Sequence, residues 1–68
     1  MKFTIEFERE DDGRWLAEVT ELPGVLAYGS TPDEAIAHAK ALALRVVADR
    51  IDNDDETSEM TEIVFATA

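Results

Sequence analysis

The stretch Thr31–Ile51, TPDEAIAHAKALALRVVADRI, decides the fold because it is typical of one long helix with a well-marked start. Thr31 can cap the helix, Pro32 suits the first helical position, and Glu34 completes a capping box. No Gly follows Pro32 and no second Pro occurs in the stretch, so we expect the helix to continue to about Ile51. The apolar residues at helical spacing form one stripe, which we expect to cover a sheet: Ala35, Ile36, Ala39, Leu42, Ala43, Val46 and Val47.

Two strands joined by a tight turn are predicted upstream of the helix. In residues 2–8 apolar and polar side chains alternate, which is the period of a strand with one buried face. Asp12-Gly13 then favours a hairpin turn, because glycine accepts positive φ without steric cost, and residues 14–19 form the returning strand. The register that places the apolar side chains of both strands on one face pairs Glu8 with Arg14. It also pairs apolar residues with one another: Phe7 with Trp15, Ile5 with Ala17, and Phe3 with Val19.

A second turn and a third short strand lead into the helix. Leu22-Pro23-Gly24 predicts the turn, because Pro23 fixes φ and Gly24 suits the second corner of a type II turn. We expect the strand to cover residues 25–28 and to end at Gly29.

The residues after the helix complete the predicted sheet. Residues 52–59, DNDDETSE, are polar and acidic and predict a loop. Residues 60–66 alternate in polarity and predict a fourth strand. The order predicts an α+β fold for a single domain over residues 1–68: β-β-β-α-β, a four-stranded mixed sheet with one long helix packed on one face. A right-handed crossover through the helix places the last strand parallel to its neighbour, which we expect to be the first strand.

The size and charge of the chain restrict its functions. A core this small usually needs disulfides, a metal or a partner subunit. The 68 residues include no cysteine and one histidine, so we expect association with a second copy, as a homodimer or larger assembly. The net charge of −10 opposes contacts with phosphate, so neither DNA nor RNA binding is expected. The acidity also has a simpler interpretation, in solubility or in adaptation to a salty cytosol.

The N-terminal residues do not resemble a targeting segment. Glu6 interrupts the first apolar stretch, unlike the apolar core of a signal peptide. No run approaches the ~20 apolar residues of a membrane helix. We therefore expect a cytoplasmic protein that does not bind membranes, and a lack of cysteine is common in that compartment.

Carboxylates are the only candidates for chemistry in this sequence. Glu6, Glu8 and Glu18 fall on the polar face of the hairpin, and Glu62 could join them from the last strand. Such a cluster can hold paired Mg²⁺ ions in a nuclease, but an ordinary solvated strand face is the favoured interpretation. His38 has neither a second histidine nor a cysteine to complete a metal site. We therefore predict no catalytic residues, no metal and no cofactor.

A candidate protein interface lies on the back of the helix, opposite the core stripe. Its residues are small or apolar where charges would be expected: Ala37, Ala41, Leu44 and Ala48. The alternative is that alanine only raises helix propensity there. Tyr28, at the end of the third strand, is a further candidate, because tyrosine can either cap a core or anchor a partner.

Three segments together resemble the HicB-like antitoxin domain, a small partial ribonuclease H-like fold of type II toxin–antitoxin systems. They are residues 12–19, DGRWLAEV, residues 21–25, ELPGV, and residues 28–35, YGSTPDEA. The positions that carry the signature are Gly13, Leu22, Pro23, Gly24, Gly29, Thr31 and Glu34. The resemblance covers about residues 1–51.

The resemblance implies a non-catalytic antitoxin that masks a small basic RNA-cleaving toxin of the HicA type. An acidic surface would steer such a partner. Full-length antitoxins also carry a C-terminal DNA-binding segment, which this sequence does not show, so operator binding is not implied. Two alternatives stay open: an oligomeric accessory domain without a toxin partner, and a metal-dependent nuclease with ribonuclease H-like chemistry.

Overall fold

The fold is a four-stranded mixed sheet with one long helix on one face. The computed structural model describes residues 1–54 and 62–68. The elements in chain order are β1 (Lys2–Arg9), β2 (Trp15–Val19), β3 (Leu26–Gly29), α1 (Pro32–Asp54) and β4 (Val64–Thr67). The strands lie in the order β3-β2-β1-β4. The pairs β1–β2 and β2–β3 are antiparallel, and β4 lies parallel to β1. The predicted α+β topology is therefore confirmed.

The core lies between the sheet and α1, and the predicted helical stripe provides the helix side of it. Ala35, Ala39 and Ala43 are fully buried, and Val47 is nearly so. The sheet and the following turn contribute the other buried side chains: Phe3, Ile5, Ala17, Val19, Leu22 and Val25. Trp15 packs at the edge of this core with its ring centroid 6.2 Å from that of Phe7, as predicted. Phe7 itself is 39% exposed.

Gly29 lets the first turn of α1 approach β3 closely. A Cβ at Gly29 would lie 2.4 Å from the backbone nitrogen of Ala35 and 2.9 Å from the carbonyl carbon of Glu34. Backbone atoms of a helix cannot move aside as a flexible side chain can. Gly29 ends the strand at the predicted place, but its main role is to leave room for the helix.

The start of α1 has the predicted Thr31 cap, but Glu34 does not close the predicted capping box, because its carboxylate bonds to Ser30 rather than to the Thr31 N–H. The Glu34 N–H donates to the Thr31 hydroxyl at 3.1 Å. The Glu34 carboxylate in turn accepts the Ser30 N–H and the Ser30 hydroxyl, both at 3.2 Å. Thr31 is thus the helix cap, and the Glu34 side chain holds Ser30, the residue before the cap, by two hydrogen bonds.

The end of α1 differs from the prediction. The helix continues to Asp54, so residues 52–54 of the predicted acidic loop are helical. Asn53 helps there, because its side-chain amide donates to the Asp49 carbonyl at 2.8 Å. The rest of that predicted loop, and residues 60–61 of the predicted last strand, lie outside the described residues. Within the described part of that strand, β4 begins at Val64 rather than at residue 62.

The hairpin register also differs from the prediction, by two residues. Arg9 pairs with Trp15, and Phe7 pairs with Ala17, so Glu8 does not face Arg14. The reason is a shorter loop, which is closed by the Glu10 N–H donating to the Arg14 carbonyl at 2.7 Å. A shift of two residues keeps every side chain on its predicted face. The side-chain faces are therefore as predicted although the pairs are wrong, but Phe7 is exposed and does not join the buried core.

The turn before β3 forms as predicted. The Val25 N–H donates to the Leu22 carbonyl at 3.0 Å, and Gly24 has a φ of 84°. This positive φ at the second corner is the geometry of a type II turn. Val25 then joins the ladder, because its carbonyl accepts the Val19 N–H at 2.9 Å.

Candidate protein-binding surfaces

The predicted interface residues lie on opposite sides of the molecule. Tyr28 alternates along β3 with Ala27, which packs against the core under the helix. Successive side chains of a strand point to opposite faces, so Tyr28 points away from α1. The other four predicted residues belong to α1. The prediction therefore divides into two separate surfaces.

The first surface, the outer helix face, consists of Ala37, Ala41, Leu44 and Ala48. Ala41 is only half-buried, and the other three are exposed, with Leu44 at 45%. Leu44 is the only large apolar side chain of the four. Alanine methyl groups offer little area to a partner, so this surface has the character of a solvated helix back.

The second surface is the side of the sheet that α1 does not cover, here called the open sheet face. It consists of Glu6, Glu8, Leu16, Glu18, Leu26 and Tyr28. Leu16 lies directly opposite Tyr28, and Glu18 lies opposite Leu26. Leu26 and Tyr28 are 39% and 41% exposed. An apolar strip on β2 and β3 is thus bordered by carboxylates on β1 and β2.

A shallow depression lies on the acidic side of this face. It has a volume of about 180 Å³ and is lined by Glu6, Phe7, Glu8, Leu16 and Glu18. Sites for small molecules usually measure ~300–1,000 Å³, so this depression is small for a metabolite or cofactor. Its size and open shape suit one side chain of a docked protein.

The open sheet face keeps an unfavourable charge arrangement. Glu6 and Glu18 are direct cross-strand partners, and like charges in that position destabilise a sheet. Within the described residues, neither glutamate forms an ion pair, and the salt bridge present joins Arg14 to Asp12 at 2.7 Å. The face therefore presents uncompensated negative charge beside apolar side chains.

Asp12 and Arg14 form a fixed unit at the end of the hairpin. The Asp12 carboxylate accepts the Arg14 backbone N–H at 3.0 Å and the Arg14 Nε–H at 2.7 Å. These two hydrogen bonds, with the backbone bond as the larger cause, lower the pKa of Asp12. The Arg14 guanidinium carbon lies 4.3 Å from the centre of the Tyr28 ring, a cation–π contact. Arg14 thereby covers one face of the Tyr28 ring, and its salt bridge is with Asp12 rather than with Glu6 or Glu18.

Glu21 has a structural role that the sequence reasoning missed. Its carboxylate accepts the Thr4 backbone N–H at 2.7 Å and the Thr20 hydroxyl at 3.1 Å. The bond from Thr4, which is the largest cause, lowers the pKa of Glu21. Glu21 thus extends the hydrogen bonding between β1 and the chain beyond Val19, where β2 ends. In the sequence, the only indication of this contact was that two polar residues, Thr20 and Glu21, follow the strand.

His38 contacts the backbone of the edge strand. Its Nδ1 lies 3.0 Å from the Tyr28 carbonyl oxygen, so Nδ1–H donates to that oxygen. This contact links α1 to the outer edge of β3. Helical spacing could not indicate it, because the partner is a backbone atom of another element.

The carboxylates do not assemble as a nuclease site would require. Glu62 precedes β4, whose Val64 pairs with Lys2, so Glu6 lies at least four residues further along β1. At ~3.3 Å per residue, the backbones of Glu6 and Glu62 are separated by more than about 13 Å along the strand direction. Among residues 1–54 and 62–68, no group of three His, Cys, Asp or Glu side chains could hold a metal ion.

Comparison with known proteins adds no further assignment. Neither a family model, nor a curated protein, nor a solved structure matches this chain. In the part of the chain that the structure describes, no helix is long and apolar enough to cross a membrane. The basis for assigning a function is therefore the geometry of the open sheet face, together with the motif resemblance to HicB-like domains.

Proposed function

We propose that this domain is a non-catalytic, cytoplasmic protein-binding module that acts as an antitoxin. In this proposal it masks a small basic RNA-cleaving toxin of the HicA type. The proposal rests above all on the open sheet face, where uncompensated glutamates border an exposed apolar strip. The resemblance of the turn and helix-start motifs to HicB-like domains supplies the class of partner.

The open sheet face has the composition of a protein interface. Apolar and aromatic side chains at the centre of an interface supply most of the binding energy. Leu16 and Tyr28 form such a centre as a cross-strand pair. Charges at the margin mainly raise the association rate and select partners of opposite charge. Glu6, Glu8 and Glu18 favour a partner with exposed Lys and Arg, which an RNA-binding toxin has.

The charge arrangement of Glu6 and Glu18 supports a binding role over a purely solvated face. A solvated face would be more stable without like charges directly opposite each other. A basic partner would turn this local repulsion into attraction. A solvated face and a binding face therefore predict the same effect of Glu18→Gln on the stability of the isolated domain. They predict different effects of this substitution on the affinity for a partner.

The proposal is tested with a small basic RNA-cleaving protein of the HicA type encoded by an adjacent gene, by titration calorimetry and by inhibition of its RNA cleavage, and the absence of such a gene counts against the proposal. Glu18→Gln should stabilise the isolated domain by ~0.2–1 kcal/mol. The same variant should weaken binding about tenfold and reduce the salt dependence of association. Asp52→Asn is the matched control, because it removes one exposed charge from α1 and should leave binding unchanged.

Two results would overturn the proposal. One is wild-type protein that neither binds such a basic protein nor inhibits its RNA cleavage, which would favour an accessory domain without a toxin partner. The other is equal weakening by Glu18→Gln and Asp52→Asn, which would show that only net charge matters.

A further inference from the structure

The outer edge of β3 has unpaired backbone groups. β3 is an edge strand. The Val19 N–H donates to the Val25 carbonyl, and in an antiparallel ladder such hydrogen-bonded pairs alternate with non-bonded pairs. With the observed register, Ala27 and Gly29 bond to β2, while the N–H and C=O groups of Leu26 and Tyr28 point outward. The contact of His38 with the Tyr28 carbonyl, made from outside the sheet, agrees with this alternation.

This edge also lacks the usual protection against pairing. Natural edge strands are commonly blocked by charged side chains, by proline or by bulges. Residues 22–32 contain no charged residue, in a chain that is 32% charged. The side chains of Leu26 and Tyr28 next to the edge are exposed. The edge segment itself adds nothing to the net charge of −10 by which two copies repel each other, and the charges beside it, Glu18 opposite Leu26 and Arg14 over Tyr28, are of opposite sign.

We propose that two copies of this chain pair antiparallel through their β3 edges and form one continuous sheet. The outward groups are self-complementary about Ala27. The Leu26 N–H of one copy would donate to the Tyr28 carbonyl of the other, and the Tyr28 N–H would donate to the Leu26 carbonyl. The Tyr28 carbonyl has two lone pairs, so it can accept this bond together with the His38 bond.

The geometry of this dimer follows from a two-fold axis perpendicular to the sheet. Such an axis keeps both helices on one side and both open sheet faces on the other. The exposed Leu26 and Tyr28 side chains of the two copies become cross-strand neighbours, which adds apolar contact. The four-residue strand limits the area, so the dimer belongs to the weak class of interfaces. The pairing is independent of the toxin-masking proposal, because it needs no other protein.

Sedimentation equilibrium of the wild type and three variants tests the pairing. The wild type should associate at concentrations below ~1 mM, and more strongly at high salt, which screens the charge repulsion. Leu26→Pro removes an outward N–H that no internal bond uses, and should raise the dimer Kd at least roughly tenfold. Leu26→Lys replaces an apolar side chain at the edge by a charged one and should likewise weaken association. Leu44→Lys makes the same charge change on the outer helix face and should leave the dimer intact.

Amide hydrogen exchange gives a second readout that depends on the edge itself. The amides of Leu26 and Tyr28 should exchange fast in dilute solution and slow down as the concentration rises. A wild type that stays monomeric at ~1 mM would overturn the proposal. So would a dimer that survives both Leu26 variants, or one that Leu44→Lys disrupts, because either result places the contact elsewhere. If Leu26→Pro fails to fold by circular dichroism, Leu26→Lys and the exchange data decide.

Discussion

Gly29→Ala should destabilise the fold through steric overlap with the backbone of α1. The added Cβ would lie 2.4 Å from the Ala35 nitrogen, 2.9 Å from the Glu34 carbonyl carbon and 3.0 Å from the Ala35 Cα. All three are backbone atoms in the first turn of α1, so relief requires the helix to move away from β3. That movement would loosen the contact of the buried alanines with the sheet. Overpacking of this kind costs ~1–3 kcal/mol.

This cost is large relative to the stability of so small a domain. At ~0.05–0.15 kcal/mol per residue, a chain of this length has a free energy of unfolding of roughly 3–10 kcal/mol. A loss of ~2 kcal/mol should lower the melting temperature by about 8–16 °C, since each kcal/mol shifts it by ~4–8 °C in domains of this size. Thermal unfolding followed by circular dichroism measures this shift.

Gly24→Ala is the matched control for Gly29→Ala. Gly24 has a φ of 84°, but a Cβ there would meet nothing within 4 Å. Its cost is therefore only the left-handed backbone conformation, ~1–2 kcal/mol. Gly24→Ala therefore measures the cost of backbone strain, whereas Gly29→Ala measures the cost of steric overlap. The reasoning is refuted if Gly29→Ala melts within a few degrees of the wild type, because the close approach of α1 to β3 would then be absent.

Three further predictions concern the helix cap, acid stability and catalysis. Thr31→Ala should lower the free energy of unfolding in urea by ~1 kcal/mol through loss of the cap to Glu34, whereas Thr31→Ser should restore most of it. The lowered pKa of Glu21 means that its contribution is present above its ordinary value of 4.5 and is lost as the pH falls through the folded-state pKa. Unfolding measured between neutral and acid pH should therefore depend less on pH in Glu21→Gln, and an unchanged acid limb would contradict the Thr4 contact. Purified protein incubated with single-stranded RNA and Mg²⁺ or Mn²⁺ should produce no cleavage, and activity that Glu6→Gln abolishes would reverse this conclusion.

Local chemistry made much of the fold predictable from the sequence. The start of α1 depends on Thr31 and its neighbours alone, and the turn before β3 depends on Pro23 and Gly24. The core stripe follows from helical spacing. Each of these features is determined by residues close together in the chain, so the predictions agree with the structure.

Features that depend on distant contacts or on backbone geometry were predicted less well. The hairpin register was wrong because a shift of two residues leaves the pattern of faces unchanged, and polarity cannot distinguish the two registers. The bonds of Asp12 to Arg14 and the short loop decide between them. The helix continued past Ile51 because Asp52 and Asn53 are exposed there and no glycine or proline ends it.

The candidate site was only partly predictable. Alternation correctly placed Glu6, Glu8 and Glu18 on one exposed face. It also contained the signal for Leu16, which lies between two core-facing residues and therefore had to point outward. Tyr28 was grouped with the outer helix face because the path of the helix across the sheet was unknown. Glu62 was grouped with Glu6 because the register of the parallel pair, which separates them, cannot be read from either strand alone.

Mapping of the contact surface by NMR decides whether a basic partner binds the open sheet face. A small basic RNA-cleaving protein of the HicA type is titrated into isotopically labelled domain, and changes in backbone amide shifts are assigned to residues. The account predicts that the changes concentrate on the open sheet face, at Leu16, Glu18 and Tyr28, and leave Ala37 and Leu44 on the outer helix face unaffected. Changes centred on the outer helix face, or none at saturating partner, would contradict it.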